Sequence, residues 1–235
     1  MKITTVLFDL DGTLLPMDQN KFMKAYFGGL AAKLAPHGYE PTALIDAIWK
    51  GTAAMVKNDG RVKNEVAFWN CFSGIFGEGA KKDIPIFDAF YREDFDKVSA
   101  SCGYTPESKE IIGSLKTRGM RVVLATNPLF PSIATEKRIA WAGLSPSDFA
   151  LFTTYENASH CKPNLDYYRD ILSELEADPR ECLMVGNDVE EDMIASELGM
   201  QVFLLTDCLL NKQNKDINAY PHGGFAELKE FLQTI

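Results

Sequence analysis

Apolar positions follow two different periods along these 235 residues. From Ile3 to Phe8 they form a short run with β-branched and aromatic character, which predicts a buried strand. The period then becomes helical. Phe22, Ala25, Tyr26, Leu30 and Leu34 recur at helix spacing until Pro36-His37-Gly38 stops the run. Pro41-Thr42 opens a second helix with Leu44, Ile45, Ile48 and Trp49 on its apolar side, and Asn58-Asp59-Gly60 predicts a turn. A third helix carries Val66, Phe68, Trp69, Phe72 and Ile75 and ends at Gly77-Glu78-Gly79. A fourth, less regular, holds Phe87, Phe90, Tyr91 and Phe95. Residues 18–98 therefore predict a helical module the size of a small domain, and residues 1–17 with 99–235 predict the other domain.

After the module, strands and helices alternate. Thr105-Pro106-Glu107 is a helix start, with a capping hydroxyl, proline at the first helical position and an acid in the first turn. That helix runs to Arg118 and stops at Gly119. Further strands are predicted over 121–126, 149–153, 182–185 and 201–205, and further helices over 130–143, 164–176, 190–198 and 225–232. The alternation predicts an α/β fold: a doubly wound, mostly parallel Rossmann-like sheet with the α-helical module inserted just after the first strand.

Composition narrows the partners. Hydrophobic residues make up 46% and charged residues 24%, an ordinary globular balance. The formal net charge of −9 argues against nucleic acid or an anionic membrane as the main partner. It does not exclude a small anionic substrate, because a local metal or lysine overrides the global field. Five cysteines are scattered, odd in number and without a C-x-x-C pair, which suits free thiols in a reducing compartment. No apolar run approaches a membrane span, and the first residues lack signal-peptide character, so a cytoplasmic location is expected.

Candidate chemistry lies at strand ends, where open α/β sheets bind ligands. The first strand ends in Asp9-Leu10-Asp11-Gly12-Thr13, with two carboxylates on one side of an extended chain. Like charges so close need a shared proton or a cation, and Mg²⁺ takes hard oxygen ligands of this kind. The second strand ends in Thr126-Asn127, Lys162-Pro163 precedes a helix, and the strand from Cys182 ends in Gly186-Asn187-Asp188, with Glu190, Glu191 and Asp192 beyond. Together these are the parts of phosphoryl transfer: a nucleophile, a metal site, donors for phosphoryl oxygens and a cation. Glu190 and Glu191 read as first-turn helix acids, the histidines as structural or surface groups, Cys161 as a buried thiol, and the aromatics Trp49, Phe68, Trp69, Phe72 and Phe90 as core of the helical module.

In that order, Asp9-Leu10-Asp11-Gly12-Thr13, Thr126-Asn127, Lys162-Pro163 and Gly186-Asn187-Asp188 with Asp192 resemble the four motifs of the haloacid dehalogenase-like (HAD) phosphohydrolases, and the inserted helices resemble that superfamily's C1-type cap. The resemblance implies a Mg²⁺-dependent phosphatase acting on a small phosphorylated metabolite, as a monomer or homodimer. It implies Asp9 as the nucleophile that becomes an aspartyl-phosphate. Asp11 is implied as acid and then base, its backbone carbonyl also ligating Mg²⁺. Thr126 and Asn127 would hold phosphoryl oxygens, and Lys162 would hold Asp9 and the phosphoryl charge. One departure from the pattern leaves two arrangements open: Asp188 ligates the metal directly, or Asn187 gives its amide oxygen and Asp188 acts through water. Asp192 is expected to support Lys162 or a metal-bound water. Substrate contacts are expected from Thr13, Arg61, Lys21, Lys24 and Lys57. A phosphomutase on the same core is the nearest alternative. A dehalogenase, which needs no acid for a leaving oxygen, and a non-catalytic binding module stand further off.

Overall fold

The computed structural model describes residues 2–235. Six strands form one all-parallel sheet in the order β3-β2-β1-β4-β5-β6. They are β1 (Thr5–Phe8), β2 (Arg121–Leu124), β3 (Leu151–Phe152), β4 (Cys182–Gly186), β5 (Gln201–Leu205) and β6 (His222–Gly223). The order reverses at β1, which sits between β2 and β4. In a doubly wound sheet that reversal opens a crevice at the carboxyl ends of the strands.

Alternation along each central strand feeds two cores. Val6, Phe8, Leu124, Leu183, Val185 and Phe203 face one side, while Leu7, Val123, Met184, Val202 and Leu204 face the other. The first face is covered by α5 (Pro106–Thr117), α6 (Ser132–Trp141) and α8 (Phe225–Gln233), the second by α7 (Leu165–Glu174). Both faces are buried, so the strands carry the near-continuous apolar runs typical of parallel sheets.

Between β1 and α5 stand α1 (Gln19–Leu34), α2 (Pro41–Val56), α3 (Asn64–Phe76) and α4 (Ile84–Ala89). The chain from α4 to Ser101 continues as a π turn over Phe90–Asp94 and a 3₁₀ stretch over Phe95–Ser101. That irregular path is the predicted fourth helix. Phe22, Tyr26, Phe90 and Phe95 bring the helical layer into the same apolar core as the first sheet face. An isolated Met17–Cys102 bridge and a Gly103 N–H to Pro16 carbonyl bond of 2.7 Å clamp together the two segments that lead into and out of the layer, and the Asn64 and Glu65 N–H groups tie the layer to the Ala158 and Tyr155 carbonyls at 2.9 and 2.8 Å.

Two predicted elements differ in detail, and one short strand was not predicted. The helix expected over 190–198 is a turn followed by 3₁₀ over Met193–Leu198. Asp188 takes the Glu190 and Glu191 N–H groups at 2.8 and 2.9 Å, and Tyr168 takes the Glu191 carbonyl, so the first helical turn is replaced by side-chain bonds. The helix expected from Phe130 begins at Ser132, because Pro131 holds extended backbone as its N-cap. The edge strand β6 has two residues between Pro221 and Gly224, too short to leave an apolar pattern. No helix among the described residues is long and apolar enough to cross a membrane.

Candidate active site

Four segments converge at the carboxyl ends of β1, β2 and β4. Asp9 follows β1 and is nearly buried. Lys162, in the loop before α7, reaches it with Nζ 3.0 Å from Asp9 Oδ1 and 2.6 Å from Asp192 Oδ1. Both lysine and Asp192 are 1% exposed, so this is a dry ionic pair rather than a surface contact. Asp192 also accepts the Asp188 N–H through Oδ2 at 2.9 Å, which fixes the loop after β4 against the lysine. Gly186 permits that approach: a Cβ there would stand 2.1 Å from Asp192 Oδ2.

Gly12 performs a similar service on the facing loop. It has φ +90°, and a Cβ would meet Asn187 Nδ2 at 2.3 Å. The Asn187 amide is fully engaged: Nδ2 donates to the Cys208 carbonyl at 2.7 Å and Oδ1 accepts from Thr13 Oγ1 at 3.0 Å. Thr13 Oγ1 lies 3.4 Å from Asp9 Oδ2. Asn187 therefore stitches the β1 and β4 loops together. Asp188 uses Oδ1 for the Glu190 and Glu191 amides and lines the cavity beside Asp9.

Thr126 is buried at the end of β2 and faces the same cavity. Its carbonyl accepts from Thr153 Oγ1 at 2.6 Å and from Tyr167 OH at 2.9 Å, which fixes the backbone and leaves the hydroxyl without a protein partner among the described residues. Asn127 Oδ1 accepts the Lys162 N–H at 3.3 Å, and its Nδ2 donates to Glu191 Oε2 at 2.9 Å.

Two residues of this network escaped the sequence reading. Glu191, expected as a helix-start acid, is a cavity-lining carboxyl that burial and the charges of Asp192 and Asp188 push up to about 7, against the pull of Lys162. Arg138 comes from the middle of α6, is fully buried, and ion-pairs Asp11 Oδ2 while lying 4.4 Å from the Phe130 ring centre. Its signal was an arginine on the apolar stripe of Ala134, Thr135 and Ile139, where only a paired charge is tolerated.

Arg61 is not brought to the site. It is 85% exposed and its guanidinium is held by Asp59, two residues away, at 2.7–3.0 Å. Lys21, Lys24 and Lys57 are also exposed and absent from the cavity lining. Trp49, expected as core, is half exposed and packs tilted against Phe27 at the cavity edge.

Negative charge is in excess. Asp9, Asp11, Asp188, Glu191 and Asp192 gather around two buried cations, Lys162 and Arg138. Burial raises the Asp9 carboxyl above its ordinary range, Lys162 opposes this, and Asp192 and Asp11 add to the rise. Asp11 is raised by burial against Arg138 and Lys162. Its Oδ1 is buried without a hydrogen-bond partner. No three His, Cys, Asp or Glu side chains among the described residues gather as a metal cluster. The donors present are instead two cavity-lining carboxylates, Asp9 and Asp188, with the Asp11 carbonyl, which accepts no bond from the described residues. Hard oxygens in an anionic pocket, with positions left for water, fit Mg²⁺.

The profile of the haloacid dehalogenase-like hydrolases matches residues 3–197. The chain belongs to that family. It is therefore a hydrolytic enzyme. A curated relative, pyrophosphatase PpaX of Bacillus velezensis, is 24% identical over 84% of this chain and 81% of its own length. Among solved structures, 2-haloacid dehalogenase from Pseudomonas syringae pv. Tomato DC3000 matches with TM-score 0.65 at 16% identity, covering 99% of both chains. YfnB of Bacillus subtilis, solved bound to magnesium, matches with TM-score 0.59 at 18% identity over 99% of this chain and all of that one. At such identities these HAD structures speak for the fold.

Proposed function

We propose that this HAD enzyme is a phosphatase that hydrolyses a small-molecule phosphate monoester through an aspartyl-phosphate on Asp9. The observation that carries the reading is the pairing of two carboxylates with unequal surroundings at the end of β1. Asp9 is held by Lys162, whose charge opposes the rise that burial imposes and so supports the ionised form that attack requires. Asp11, two residues on, is pinned through one oxygen by Arg138 and keeps the other without a partner. That free, buried oxygen suits a proton shuttle, and burial raises its affinity for a proton.

In this mechanism an Asp9 oxygen attacks phosphorus while Asp11 gives its proton to the departing alcohol oxygen. Water then attacks the phosphorus of the acyl phosphate, giving a proton back to Asp11, and the Asp9–phosphorus bond breaks. Lys162, the Thr126 hydroxyl and the Asn127 amide stabilise charge on the phosphoryl oxygens. Mg²⁺, held by Asp9, the Asp11 carbonyl and Asp188, would supply charge neutralisation at the phosphoryl group. We assign Asn187 to positioning, because both ends of its amide are already bonded. Residues 18–98 would act as the cap and residues 1–17 with 99–235 as the catalytic domain. The pyrophosphatase relative supports phosphoryl hydrolysis as the reaction class.

The dehalogenase likeness supports a second reading, halide displacement by Asp9. That chemistry needs no acid at a leaving oxygen, and the Asp11–Arg138 arrangement would then have no role. Incubating the protein with phosphate esters and with a haloacid, each with and without Mg²⁺, separates the two. Mg²⁺-dependent phosphate release is expected; halide release without phosphate release would overturn the assignment.

A further inference from the structure

The cavity holds about 340 Å³, which leaves room beside a phosphoryl group for an alcohol of ring size. Its floor is the ionic network of the strand ends. Its opposite wall comes from the helical layer and is rich in rings, with the uncharged polar groups of Gln19 and Thr52 among them. Phe27 and Trp49 lie 5.4 Å apart at the edge, and Trp69 stands edge-on to Phe87 at 5.1 Å deeper in. Tyr26 and Tyr91 share a hydroxyl–hydroxyl bond of 2.8 Å, so their polar ends are mutually occupied.

Charge on this wall has one sign. Among the described residues the cavity's single lining cation, Lys212, lies on the sheet side beside Asp188. The helical side contributes one charged lining group, Asp88 of α4. Arg92, 60% exposed, reaches Asp88 Oδ2 from solvent at 3.3 Å. Glu65 stands close enough to Asp88 and Glu156 for their charges to add to the rise that burial gives its carboxyl. The Trp69 indole N–H is buried beside the Tyr155 hydroxyl.

We propose that this wall selects a phosphate ester whose leaving alcohol is flat and apolar and carries an amine or no charge. It rejects alcohols that bear a carboxylate or a second phosphate. Ring faces attract cations through their quadrupoles, and Asp88 adds to that attraction. An anionic group there would lose water, gain no cation and face Asp88 in a poorly screened space. The inference rests on the phosphatase reading for the position of the phosphoryl group.

Three esters on one ring test it: phenyl phosphate, para-(aminomethyl)phenyl phosphate and para-carboxyphenyl phosphate. Binding is measured by tryptophan fluorescence and calorimetry on Asp9→Asn protein with Mg²⁺, and phosphate release is measured on the unaltered protein. The aminomethyl and phenyl esters are expected to bind at least about tenfold more tightly than the carboxy ester. Asp88→Asn is expected to draw the aminomethyl-to-phenyl ratio toward one. Equal or tighter binding of the carboxy ester overturns the proposal, as does no binding by any ester at millimolar concentration. If the binding order holds while no ester releases phosphate, the wall assignment stands and the phosphatase reading falls. If all three release phosphate with the carboxy ester bound best, the reverse holds.

Discussion

The floor of the cavity and its helical wall are made from opposite materials. On the floor, polar side chains are buried and nearly every one is bonded: Lys162 to Asp9 and Asp192, Asn187 to Thr13 and Cys208, Arg138 to Asp11. On the wall, rings pack edge to face and only Asp88 brings charge to the lining. A bonded network in a low-dielectric place has few alternative arrangements, because any unpaired member costs several kcal/mol. Packed rings tolerate exchange of one apolar shape for another at smaller cost. The difference underlies the proposal that the reaction belongs to the floor and the choice of substrate to the wall.

The sharpest way to break this contrast is to remove Asp9. Asp9→Asn is expected to lower turnover by about 10⁴-fold or more while the thermal midpoint stays equal or rises, since a strained buried carboxyl is lost. Retained steady-state phosphate release would move the nucleophile elsewhere. Lys162→Met should cost about 3–5 kcal/mol of stability, measured by denaturant unfolding, because it strands Asp9 and Asp192 together.

Arg138→Met isolates the second carboxylate. Turnover should fall by less than the roughly 10²–10⁴-fold that an acid–base catalyst itself contributes, because Arg138 acts only through Asp11. The pH profile discriminates further: Arg138 lowers the Asp11 proton affinity, so its loss should move the basic limb of kcat to higher pH. An unmoved limb would separate Asp11 from proton transfer.

The network's excess negative charge makes a smaller, linked prediction. Glu191 rises from its ordinary 4.5 to about 7, so the folded state binds the additional proton between those values. Stability of the metal-free protein should therefore fall as pH rises from 5 to 8, lowering the midpoint by roughly 5 °C in a scanning unfolding experiment. Added Mg²⁺ should restore more stability at pH 8 than at pH 5, because proton and metal compete for one anionic pocket. On the wall, Trp49→Ala should raise KM a few-fold with kcat little changed, since the ring is half exposed and remote from the bonded floor.

The same contrast explains what the sequence could disclose. Parallel strands buried on both faces leave apolar runs, and loops at their ends leave fixed polar spacings, so Asp9 to Thr13 and Gly186 to Asp188 were legible. Arg138 was not, because its partner Asp11 lies 127 positions away and nothing local marks the pairing. Glu191 was misread because an acid at a helix start and an acid under a cavity look alike in one dimension. Arg61 looked available until its neighbour Asp59 was seen to hold it. Wall rings read as core because packing and binding use the same residue types.

The central claim is that phosphoryl passes through Asp9. The direct measurement is rapid acid quench of the working enzyme, followed by mass spectrometry of the peptide containing Asp9 and Asp11. A phosphoryl adduct on Asp9 that forms and decays at the pace of turnover is the predicted result. Turnover with no adduct, or with the adduct on Asp11, would contradict it.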